Sequence, residues 1–71
     1  MEEDDLKDLL KQCPLLVRMN DGREVLVEKP EFIVVSPYNA AVLVEEEGRK
    51  RIVVISLINI TSVVPNAAAG A

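Results

Sequence analysis

Histidine and tryptophan are absent from the 71-residue sequence, and it holds one cysteine, one tyrosine and one phenylalanine. Each scarcity removes a class of chemistry. One thiol cannot form an internal disulfide, and one thiol without imidazole cannot assemble a zinc site. Without histidine, an acyl-transfer nucleophile lacks its usual base. Ser36, Ser56 and Ser62 are scattered and read as turn or strand residues. The acidic runs look exposed, so nothing perturbs their carboxyls toward acid–base work. Uninterrupted apolar stretches fall well short of the ~18 residues of a membrane helix, and no basic-then-apolar start marks a signal peptide. The expectation is a non-enzymatic chain with no cofactor, no metal and no membrane partner. A free thiol without an export signal points to the cytoplasm.

What is present is apolar: 49% of the residues are hydrophobic. Such a chain is one domain near the lower size limit for folding without staples. A core of this size supplies only ~3–5 kcal/mol, so self-association is a natural source of further buried surface. The net charge of −4 is unevenly placed. Glu2, Glu3, Asp4 and Asp5 cluster at the start, whereas residues 6–65 carry eight acids and eight bases. A neutral body exerts no general pull on nucleic acid or anionic lipid.

Leu6, Leu9, Leu10 and Cys13 fall at i, i+3, i+4 and i+7, the stripe of a helix over residues 6–13. Asp4 or Asp5 is its expected cap, Pro14 stops it, and residues 1–5 are expected to be a flexible acidic start. Cys13, on the apolar stripe, reads as a structural thiol. Strand texture follows. Val17 and Met19 alternate with polar residues, as do Val25 and Val27, and Asn20-Asp21-Gly22-Arg23 between them is a hairpin turn. Lys29-Pro30-Glu31 bends the second strand, because proline removes a ladder donor. Residues 32–35 resume it, apolar on both faces. Ser36-Pro37-Tyr38-Asn39 turns the chain into a strand over 40–44. Residues 45–51 form a second hairpin whose acids face the bases Arg49, Lys50 and Arg51, a solvated, self-paired turn. Strands over 52–55 and 60–64 follow, with a break at 56–59 between them. Pro65 ends the last, and 66–71 is a loose tail.

This order resembles the Sm-like barrel family, in particular its bacterial Hfq branch. The segment from Pro14 to Gly22 matches the spacing from the proline after the helix to the turn glycine. Ile60-Thr61-Ser62-Val63-Val64-Pro65 is similar to the closing strand, and Tyr38-Asn39 to the hydrophobic-Asn step of the first Sm motif. Pro30-Glu31-Phe32 with the Asp21-Gly22-Arg23 turn also looks like small uncharacterised bacterial proteins. Departures are plain: Val27 replaces a glycine, Val35 an aspartate, and Ser56-Leu57-Ile58 stands where the RNA-contacting Tyr-Lys-His would be.

The resemblance implies a bent, antiparallel, five-stranded open barrel over residues 6–65 that self-associates through strand edges into a homo-oligomer. Ile52, Val54, Ile60, Ser62 and Val63 are the expected interface residues. The expected function is a structural or protein-interaction module. The alternative is an RNA-binding role in RNA regulation, in which Asn39 hydrogen-bonds a base and Tyr38 stacks on one, with weak affinity.

Overall fold

The computed structural model describes residues 1–67. It is mostly β with one N-terminal helix, and all strand pairings are antiparallel. Helix α1 spans Glu3–Leu9 and tightens into a 3₁₀ turn at Leu10–Gln12. It therefore begins inside the acidic start rather than after it. Glu2 occupies the N-cap without a side-chain bond, in place of the expected Asp4 or Asp5 cap. Glu3, Asp4 and Asp5 instead fill the first turn, where carboxylates suit the positive end of the helix. Glu3 also pairs with Lys7 at 3.0 Å. Proline at position 14 disfavours helical backbone at Cys13, which is extended (φ −60°, ψ 149°), and the helix ends there. The stripe faces inward as expected: Leu6 is fully buried, and Leu9, Leu10 and Cys13 pack half-buried against the core.

Six strands form two three-stranded sheets rather than one five-stranded barrel: β1 Leu15–Met19, β2 Glu24–Val27, β3 Ile33–Val35, β4 Asn39–Glu46, β5 Arg49–Ser56 and β6 Ile60–Val64. The sheet orders are β2-β1-β6 and β3-β4-β5. The extra strand arises at the proline. Pro30–Phe32 is a 3₁₀ turn, so the segment expected as one bent strand divides into β2 and β3, each serving a different sheet. Between the sheets lie Leu15, Val17, Met19, Val25, Val27, Ile33, Ala40, Val42, Ile55 and Leu57, with Leu6 closing the core from the helix. No polar side chain is buried among the described residues.

The two hairpins differ in how they turn. At the first, Asp21 Oδ1 accepts from the Arg23 backbone N–H at 3.0 Å and Oδ2 from Arg23 Nε at 2.7 Å. The backbone bond, then the guanidinium, hold the Asp21 carboxyl below its ordinary range. At the second, Glu47 (φ 53°) and Gly48 (φ 77°) form a two-residue loop with both residues left-handed, the type I′ geometry that matches strand twist. The charged arms expected as turn are thus strand, with Glu46 opposite Arg49 and Glu45 opposite Lys50. A Cβ at Gly48 would meet nothing within 4 Å, so Gly48→Ala strains only the backbone. The expected loss is about 1–2 kcal/mol in urea denaturation followed by circular dichroism. An unchanged midpoint would mean the loop does not need a left-handed residue there.

The start of the expected tail is tied down. Asn66 N–H donates to Gln12 O at 3.0 Å and Ala67 N–H to Pro14 O at 2.9 Å. The rest of that tail, residues 68–71, lies outside the described residues.

Candidate functional site

The β4–β5 register determines where the backbone groups of β5 point. The type I′ loop makes Glu46 and Arg49 a hydrogen-bonded pair, and such pairs recur every second residue along an antiparallel ladder. Leu57 N–H donating to Tyr38 O at 3.0 Å, one step past the strand, agrees with this alternation. Arg49, Arg51, Val53 and Ile55 therefore spend their amides on β4. Lys50, Ile52 and Val54 direct theirs away from it, to an edge on which no strand lies among the described residues. The same residues project side chains from the outer face of the sheet. Ile52 is 62% exposed and Val54 66% exposed. Register extends this face inward across the sheet: Val54 lies opposite Ala41, Ala41 opposite Val34, and Ile52 opposite Leu43. Val34 is as exposed as Val54. An apolar sheet face beside an open edge is the feature that an isolated chain leaves least satisfied.

The other expected interface residues lie on β6, which pairs only with β1. Ile60 and Val63 pack half-buried against the core, and Val63 stands opposite the buried Val17. Ser62 is exposed and opposite Arg18. Because Met19 N–H bonds Arg23 O, the odd residues of β1 serve β2, while Leu16 and Arg18 serve Val64 and Ser62. That leaves Val63 to face outward along the β6 edge, with Thr61 at the register slip. The structure thus brings Ile52 and Val54 together and sets Ile60 and Val63 on the core side of another sheet. Val34, Ala41 and Leu43 were not anticipated as part of the outer face. The signal for Val34 was the doubly apolar texture of 32–35, but strand register was needed to place all three.

Tyr38 and Asn39 sit where β3 turns into β4. Tyr38 is 81% exposed. The Asn39 carboxamide oxygen accepts from Ser36 Oγ at 2.7 Å, and its backbone carbonyl accepts from Ser36 N–H and Oγ at 2.8 Å. Asn39 is therefore engaged in making the turn.

A cavity of about 540 Å³ opens between the two hairpins, floored by Met19, Val25, Val53 and Ile55 and rimmed by Arg23, Glu24, Glu45 and Arg51. Its lining holds neither a hydroxyl nor a thiol, and its rim mixes both signs of charge. Cys13 lies elsewhere, half-buried, its thiol pushed up by burial and then by the nearby Glu31 carboxylate. A neutral thiol is a poor nucleophile. Among the described residues no group of three or more histidine, cysteine, aspartate or glutamate side chains could hold a metal, and no helix is long and apolar enough to cross a membrane.

No protein-family model matches the chain, and no curated protein or solved structure shows significant similarity to it.

Proposed function

We propose that this chain is a non-enzymatic structural or protein-interaction module with Sm-like connectivity that self-associates through its free strand edges. One observation carries the reading: β5 presents outward amides at Lys50, Ile52 and Val54 together with the exposed side chains of Ile52 and Val54. A strand added there satisfies backbone groups and covers apolar surface at once. The chain order adds support, since the resemblance implies a helix, a proline interruption after the first hairpin and a break before the last strand, and α1, Pro30–Phe32 and Leu57–Asn59 stand at those places. Sedimentation equilibrium tests the reading. The average mass is expected to rise above the 7.8 kDa of one chain as concentration increases. A compact 7.8 kDa species at high concentration would defeat it.

A second reading, RNA binding, is favoured by the exposure of Tyr38, which leaves an aromatic face open to a base. The neutral body and the engagement of the Asn39 carboxamide oxygen by Ser36 weigh against it. Uridine-rich RNA is expected to bind no tighter than about 10 μM at physiological salt, since few phosphates can be neutralised. Nanomolar binding that is lost in Asn39→Ala would promote RNA recognition over self-association.

A further inference from the structure

From the distribution of free amides, apolar side chains and charge, we infer that the occupant of the β5 edge is β5 of a second copy, paired antiparallel about a twofold axis through Val53. This inference rests on the proposed self-association and specifies its geometry.

The two candidate edges are not equivalent. Along β5 the outward positions Lys50, Ile52 and Val54 all carry an N–H, and the strand is eight residues long. Along β6 the regular ladder leaves Val63 outward, and the next in the same alternation is Pro65, which has no N–H to donate. The β1–β6 ladder also slips between Arg18 and Met19, and a bulge twists an edge away from a regular partner. β5 is the longer and more regular template.

Self-pairing of β5 also selects its own register. Free amides must meet free amides, so Ile52 and Val54 have to fall in hydrogen-bonded pairs. Centring the twofold on Val53 places Ile52 of each chain opposite Val54 of the other, and Lys50 opposite Ser56. Apolar faces apolar, and polar faces polar. Moving the centre to Ile52 sets Lys50 against Val54, and moving it to Val54 sets Ile52 against Ser56. Both alternatives mismatch, and a shift of a single residue in one chain pairs bonded amides with free ones.

Charge agrees with the same register. Arg49 and Lys50 take part in no ion pair among the described residues, and neither do Glu2, Asp4 and Asp5. Centring on Val53 carries Arg49 to a position opposite Leu57 of the second copy. The Leu57 carbonyl accepts from its own chain's Met1 ammonium at 3.0 Å, so the acidic helix start stands beside that position. The basic arm of each copy thus extends toward the acidic start of the other, twice per dimer. Opposite charges arranged in this way fix register and orientation.

Disulfide trapping tests the geometry in full-length Cys13→Ala protein oxidised with diamide. Directly opposite residues in an antiparallel pair are ~4.5–5.5 Å apart at Cα, within the reach of a disulfide. An equimolar mixture of Ile52→Cys and Val54→Cys chains is expected to yield a covalent dimer joining one of each, at least tenfold more than either chain gives alone. Both side chains are exposed, so neither change burdens folding. Val53→Cys alone is expected to cross-link to itself, while Thr61→Cys alone is not. If the protein sediments as an oligomer but trapping occurs only between Val54→Cys and Thr61→Cys chains, or at none of these positions, the twofold pairing is overturned and strand-edge association survives. A concentration-independent 7.8 kDa monomer overturns both.

Discussion

Val54→Lys is expected to abolish the proposed self-association and leave a monomer of unchanged fold. Val54 is largely exposed on the outer face of β5, so a lysine there disturbs no core contact. It does place an ammonium at the centre of the edge. Lysine on an edge strand is a common device by which sheets avoid pairing, since burying its charge against an incoming strand is costly. In the twofold register the new charge faces Ile52 of the second copy, removing one apolar pair at each end of the contact. The dissociation constant is expected to rise at least about 100-fold, equivalent to roughly 2.7 kcal/mol. Melting provides the second reading. Apparent Tm should climb with concentration in the unaltered protein, because association stabilises the folded state by mass action, and should be flat in the variant. Val63→Lys is the contrast. Val63 packs against the core opposite Val17, so lysine there is expected to unfold the chain rather than release a monomer. Were Val54→Lys to leave the mass distribution unchanged, β5 would not be the associating edge.

The proposed dimerisation through β5 bears on a tension already visible in composition. A chain with 49% hydrophobic residues has a core of eleven buried side chains among the described residues, and several of its large apolar residues remain in solvent. Ile52, Val54 and Val34 cannot be drawn inside, because β-strands alternate and the opposite face already fills the core with Val42, Ile55 and Ile33. Only another surface can cover them.

Much of the architecture was legible because local chemistry determines it. Gly22 takes the left-handed backbone expected in the first turn, although Asp21 does not, and β6 occupies the predicted 60–64. Pro30 breaks the second strand at the expected place. Its consequence was not legible. Whether a bent strand stays in one sheet or divides between two depends on pairing with β1 and β4, which no local pattern encodes. The helix start was misplaced for a similar reason: the apolar stripe begins at Leu6, but three acids ahead of it favour the helix end through charge. The hairpin arms 45–46 and 49–51 read as turn by composition, although β4 and β5 continue through them to a two-residue loop. For the candidate site, the doubly apolar 52–55 segment flagged the strand that carries an open edge and the exposed Ile52 and Val54. Which of its residues face outward, and that Val34 joins them, emerges only from register.

Leu57→Ala is expected to unfold the protein at room temperature, whereas Ile58→Ala should be nearly silent. The two neighbours share the 3₁₀ turn Leu57–Asn59 that carries the chain from β5 in one sheet to β6 in the other. Leu57 is 1% exposed and belongs to the core, while Ile58 is 82% exposed. Backbone bonds set that orientation: Leu57 N–H donates to Tyr38 O, and its carbonyl accepts from Ile60 N–H and the Met1 ammonium. Truncating a buried leucine costs about 2–5 kcal/mol, the lost burial plus the cavity left behind. A domain of this length has only ~3–5 kcal/mol to lose, so the effect is close to its whole stability. An exposed isoleucine outside such contacts changes stability by about 0.5 kcal/mol or less. Far-ultraviolet circular dichroism with urea titration, run at low protein concentration to limit association, compares them. Equal losses in the two variants would mean that the turn is not anchored through Leu57. A loss in Ile58→Ala that grows with protein concentration would instead place Ile58 in the subunit contact and extend that surface beyond β5 into the turn.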